Sequence, residues 1–182
     1  GPSIGVAVVD MDDPTHPKLT TLLTSLAMLS PHESLNLNTK RGLRAAEVGN
    51  ALTLPGVMAI YDVHADCRHP VLDSQTPTLS GHESGWAPDG NTFYAAGGAG
   101  YIYAFDTTDP KHPKVLWKGA YFAHGLNVSD DGNTLYQTDP INGNFGLLDV
   151  SQIQARRPNP QVSDISRVTW PTVSIPQNSI PF

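Results

Sequence analysis

Three histidines open similar stretches of this chain, and the residues around them suit metal binding or proton transfer. The stretches are His32-Glu33-Ser34-Leu35-Asn36, His82-Glu83-Ser84-Gly85-Trp86 and His124-Gly125-Leu126-Asn127-Val128. The last two run on into near-identical turns, Pro88-Asp89-Gly90-Asn91-Thr92 and Asp130-Asp131-Gly132-Asn133-Thr134. Imidazoles at one position of a repeat stand at equivalent points of a symmetric fold, where they can converge. Converging neutral imidazoles ligate divalent transition metals such as Zn, Cu, Fe or Mn. The same ring is a general acid or base near neutral pH. His32, His82 and His124 are therefore the candidate metal ligands, and with Glu33 and Glu83 they are the candidate catalytic groups. Strand neighbours point to opposite faces, so the two glutamates are expected behind the imidazoles or in the packing between repeats. The same histidines also fit an inert role, bonding the backbone of a neighbouring repeat. Two function classes follow: an enzyme acting on a small molecule, and a non-catalytic binding or scaffold protein with structural histidines.

The other reactive side chains carry less. His16, His69 and His112 lie in Pro-flanked loops and are expected to stabilise them, and His64 has no repeat partner. Cys67 is the single cysteine, so no intrachain disulfide forms and no Cys-pair zinc motif exists. Gly97-Gly98-Ala99-Gly100 sits between strand patterns and does not open a helix, which excludes a phosphate loop. There is no Gly-x-Ser-x-Gly elbow. Asn127-Val128-Ser129 fits a glycosylation pattern that is frequent by chance.

The elements that position these residues are short strands. From His82 onward the chain reads as a strand over 82–87, a Pro-Asp-Gly-Asn turn, strands over 92–96 and 101–105, a polar loop from Asp106 to Pro113, and a fourth strand over 114–118. Four short strands repeated at about 40–50 residues match a β-propeller blade. The third strand recurs at Val6–Asp10, Val57–Asp62 and Phe145–Asp149, so Asp10, Asp62, Asp106 and Asp149 are equivalent, at intervals of 52, 44 and 43 residues. The histidines follow with intervals of 50 and 42. Blade units thus start near His32, His82 and His124, with a further one near Gln177. Composition agrees: 16 Gly and 16 Pro suit a turn-rich β protein. The net charge of -6 argues against a nucleic-acid partner. No apolar run reaches the roughly 18 residues that span a bilayer.

An apolar strand ending in Asp, followed by Asp-Pro-x-x-Pro as in Asp13-Pro14-Thr15-His16-Pro17 and Asp109-Pro110-Lys111-His112-Pro113, resembles the LVIVD-repeat propellers of bacterial secreted and surface proteins. The His-Glu and His-Gly openings resemble an actinobacterial branch. The resemblance implies a single propeller domain and a secreted or cell-surface location, and no single activity. The strand count gives an incomplete arc of three to four four-stranded blades, whereas closed propellers have four to eight. Such an arc leaves unpaired edges. The chain is therefore expected to be a fragment, completed by a second chain from the same precursor.

Overall fold

A computed structural model describes residues 4–31, 33–48, 56–78, 81–97, 99–172 and 175–180. Fourteen strands form among them. β1 (Val6–Asp10) and β2 (Lys18–Leu23) make a two-stranded sheet. Three four-stranded sheets follow. The first is β3 (Asn36–Asn38), β4 (Leu43–Glu47), β5 (Gly56–Asp62) and β6 (Val71–Thr78). The second is β7 (Ser84–Trp86), β8 (Thr92–Gly97), β9 (Tyr101–Asp106) and β10 (Lys114–Gly119). The third is β11 (Leu126–Val128), β12 (Thr134–Asp139), β13 (Asn144–Asp149) and β14 (Ser163–Thr169). Every neighbouring pair is antiparallel. The molecule is an arc of propeller blades, as the repeat implied. A single helical turn, α1 (Ser151–Gln154), replaces the Pro-bounded loop in the last copy. Residues 175–180, where a further inner strand was expected, form no strand.

Burial explains why these segments pair. The middle strands of the second four-stranded blade are covered on both sides, with β8 buried at all six positions. Such strands read as continuous apolar runs rather than as alternations. β13 in the last blade instead alternates between buried and half-buried residues. Phe93, Phe105 and Ile60 fill the layer between the first two four-stranded blades. Tyr94, Ile102, Leu135 and Leu148 fill the next layer. The outermost strands are open to solvent, β14 along its whole length. The first strands of successive blades stand side by side, with Trp86 Nε1 donating to the Asn36 carbonyl (3.4 Å) and Gly85 packed on Leu126.

The repeated aspartates are loop caps. Asp10, Asp62, Asp106 and Asp149 each accept from the amide two residues on, at 2.7–3.0 Å. In the loops that follow, His16, His69 and His112 each set Nδ1 against Asp13, Asp66 and Asp109, at 2.8, 2.7 and 2.9 Å. An Asp side chain that satisfies turn amides is a device any propeller can use. Arg41 departs from the solvated role its charge suggests, because it donates to the carbonyls of Gly90, Thr107 and Thr108 in the next blade.

One turn is constrained tightly enough to predict a cost. Gly90 has φ +70, and a Cβ there would stand 2.8 Å from the Asn38 amide of the preceding blade. Gly90→Ala is expected to cost about 1–2 kcal/mol for the left-handed backbone alone, read as a lower urea midpoint. An unchanged midpoint contradicts this.

Candidate metal centre

The strand register decides which residues share a position. Leu43 pairs with Asp62, Thr92 with Asp106 and Thr134 with Asp149, at the capped end of the third strand. The hairpin preceding each is also the same: Asn38 pairs with Leu43, and the Ala87 and Ser129 amides donate to the Thr92 and Thr134 carbonyls. Ten residues before these three anchors lie Glu33, His82 and His124. The expected equivalence of His32 with His82 and His124 is therefore one residue out. A one-residue slip sends a side chain to the opposite face of a strand, so Glu33 takes the place that His32 was expected to fill. His32 itself lies outside the described residues.

The geometry agrees with the register. His82 Nε2 and His124 Nε2 are 2.9 Å apart, with rings nearly perpendicular at 88°. Glu33 Oε2 stands 3.6 Å from the first and 3.7 Å from the second. These three atoms form a group able to hold a metal ion, the one such group among the described residues. Two nitrogens each about 2.0–2.1 Å from a common ion stand roughly 3 Å apart at bond angles near 90–110°, so little movement is needed. The imidazoles are nearly enclosed, with side chains 10% and 14% exposed, whereas Glu33 is 41% exposed. The ligand face is dry on one side and open on the other.

Close backbone approach holds the two histidines. The His124 amide donates to the Thr138 carbonyl (2.9 Å), which carries the β11–β12 pairing beyond the strand proper. Before His82, a Cβ on Gly81 would meet the Val48 carbonyl at 2.2 Å. Only glycine lets the blades approach so closely there.

Behind the imidazoles lies Glu83, the residue after His82 and so directed to the other face. Its Oε2 is 3.5 Å from His124 Nδ1. Burial, reinforced by the nearby charge of Glu33 and opposed by a hydrogen bond from Asn178, pushes its carboxyl up to about 7. Glu83 was expected among the catalytic groups; it borders the cluster without offering it a ligand atom. Two further groups border the site: the Gln177 carbonyl, 3.1 Å from His124 Nδ1, at the place the repeat marked as the opening of a further blade, and the Thr138 hydroxyl, 2.9 Å from the same carbonyl, which carried no sequence signal. Glu33 did carry one, in its ten-residue spacing to the strand anchor.

No family model matches the chain, and no curated protein does. Solved structures do. A periplasmic gluconolactonase of Pseudomonas aeruginosa is similar at TM-score 0.68 and 17% identity, over 87% of this chain and 49% of that one. A putative 6-phosphogluconolactonase from Bacteroides fragilis gives 0.65 and 11%, over 82% and 45%. The Saccharomyces cerevisiae Sqt1 gives 0.60 and 9%, over 78% and 36%. The chain spans about half the length of these structures or less. The resemblance to LVIVD-repeat propellers is thereby overturned: no family model matches, and two of the similar structures are described as gluconolactonase-type proteins. Its motifs rested on strand-ending aspartates that are turn caps and mark no lineage. At these identities the likeness is one of fold, and the fold of this chain is that of a β-propeller arc.

Proposed function

We propose that this chain is the active sector of a β-propeller enzyme, in which Glu33, His82 and His124 hold a divalent transition metal and act on a lactone-type small molecule. The observation that supports it is the convergence of one carboxylate and two imidazole nitrogens from equivalent positions of three successive blades, 2.9–3.7 Å apart. Two histidines and a carboxylate form a donor set that suits zinc hydrolases and non-haem iron(II) centres, with positions left for water and substrate. A divalent ion there supplies a Lewis acid and a more acidic bound water. The substrate class is drawn from the lactonase descriptions of two similar propellers. In such a reaction water adds to the ring carbonyl, the ring C–O bond breaks, and the hydroxy acid formed releases one proton at neutral pH.

A second reading rests on the 2.9 Å contact between the two Nε2 atoms. At that distance the imidazoles share a hydrogen bond, and the pair can move protons without metal. Calorimetric titration with Zn²⁺, Mn²⁺ and Fe²⁺, followed by pH-stat assay on glucono-δ-lactone, separates the two. One ion per chain and chelator-sensitive acid release are expected, with Glu33→Gln weakening Zn²⁺ binding tenfold or more, about 1.4 kcal/mol. Acid release that survives chelation and is lost in His82→Ala supports the metal-free pair. Neither binding nor turnover overturns both.

The proposal includes a second polypeptide supplying the remaining blades, consistent with the arc and with a span of about half the similar structures. Native mass spectrometry reads it directly. An extracytoplasmic location is supported by the periplasmic gluconolactonase. Among the described residues no helix is long and apolar enough to cross a membrane.

A further inference from the structure

The segment 175–180 forms no strand, yet hydrogen bonds tie it down beside the candidate centre. The Gln177 carbonyl faces His124 Nδ1 at 3.1 Å and the Thr138 hydroxyl at 2.9 Å. The Asn127 side-chain amide donates to Asn178 Oδ1 (2.9 Å) and to the Ser179 carbonyl (2.7 Å). The Asn178 amide in turn donates to Glu83 Oε1. Room for this exists because residue 125 is glycine. A Cβ there would lie 2.4 Å from Glu83 Oε2 and 2.5 Å from the Gln177 carbonyl.

We propose that this segment is a positioning element of the centre, in which the Gln177 carbonyl fixes the His124 proton on Nδ1 and turns the bare Nε2 toward His82 and Glu33. The inference rests on the functional reading above. Its physical basis is simple: a carbonyl can only accept, so an imidazole nitrogen facing it must carry the proton. A neutral ring protonated at Nδ1 has its lone pair on Nε2, and a carbonyl at the far nitrogen is the usual way a metal-ligating histidine is oriented. His124 Nε2 is also the atom that lies 2.9 Å from His82 and 3.7 Å from Glu33. Asn127 acts through Asn178 and Ser179, and Thr138 through the Gln177 carbonyl and the backbone of Gly125. Neither offers an atom to the ligand group. They are positioning residues.

The tautomer is read in metal-free protein by long-range ¹⁵N–¹H spectra of the imidazole rings, in the wild type, Asn127→Ala and Thr138→Val. Wild-type His124 is expected as the Nδ1–H form. Both variants are expected to show Nε2–H signal and a 10- to 100-fold weaker Zn²⁺ affinity, with little change in Tm. A wild-type His124 protonated at Nε2 overturns the proposal, as do variants in which neither tautomer nor Zn²⁺ affinity moves. If one variant fails to fold, the other decides. Wild type that binds no Zn²⁺ but shows the tautomer shift in the variants refutes the metal reading alone. In that case the segment orients His124 for proton transfer.

Discussion

His82→Ala combined with His124→Ala is expected to abolish stoichiometric Zn²⁺ uptake and to leave the blades folded. The two imidazoles supply two of the three ligand atoms in the group, and the remaining carboxylate is 41% exposed and competes poorly with water. Loss of both raises Kd by about a thousandfold or more, which corresponds to about 4 kcal/mol. Folding should tolerate the change, because the cluster sits at the start of the inner strands and outside the three apolar layers. The same experiment has a thermal signature. Zn²⁺ at a hundredfold excess over Kd is expected to stabilise the wild type by about 2.7 kcal/mol, and the double variant should show no Tm shift. Retained stoichiometric binding in the double variant would refute the assignment of these ligands.

Glu47 governs the second large effect. It is fully buried at the end of β4. Its Oε2 accepts from the Ser84 hydroxyl of the next blade at 2.7 Å, and its backbone amide and carbonyl both meet the Ser34 hydroxyl. Burial pushes its carboxyl up to about 8, and hydrogen bonds from Ser84 and Thr78 offset part of that. The folded state thus holds this proton more tightly than the unfolded chain, where the value is near 4.5. The contribution favours folding fully below about pH 4.5 and is lost progressively as pH rises toward 8. Over that window it amounts to at most about 5 kcal/mol, a large part of a typical domain stability of about 5–15 kcal/mol. Glu47→Gln keeps an uncharged acceptor facing Ser84 and cannot ionise. The stability difference should therefore shift in the variant's favour from about pH 5 to pH 8 and level off above that, in urea midpoints measured from pH 5 to pH 9. A constant difference between the two proteins removes Glu47 from the alkaline sensitivity. Other groups, Glu83 among them, titrate alike in both and cancel in the comparison.

Glu47 also shows what sequence reading misses. Within Leu43-Arg44-Ala45-Ala46-Glu47 it looks like the polar end of a half-exposed strand, yet the neighbouring blade closes over it. No local pattern records that burial, because the covering residues come from another blade. Arg41 fails for the same reason: its partners lie about 50 and 66 residues away. The strand-ending aspartates were legible because their hydrogen bonds reach only two residues along the chain. Similarly, β-propensity and repeat position point Trp86, Trp117, Tyr94 and Tyr103 to the blade packing: Tyr94 and Tyr103 are buried, and Trp86 and Trp117 are partly buried against the same layers.

The sequence by itself determined the architecture, since a repeat of strand, turn and capped loop can bury its apolar faces only against copies of itself. It also brought His82 and His124 to equivalent positions, through identical ten-residue spacings to Thr92 and Thr134. Only the tertiary structure decided the third member. Matching by residue identity set His32 beside them, whereas strand pairing places Glu33 there, because register is fixed by hydrogen bonds to the next strand and a slip of one reverses the face. It alone, too, set the Gln177 carbonyl behind His124, by a contact between residues 53 apart, where the sequence had marked Gln177 only as the opening of a further blade.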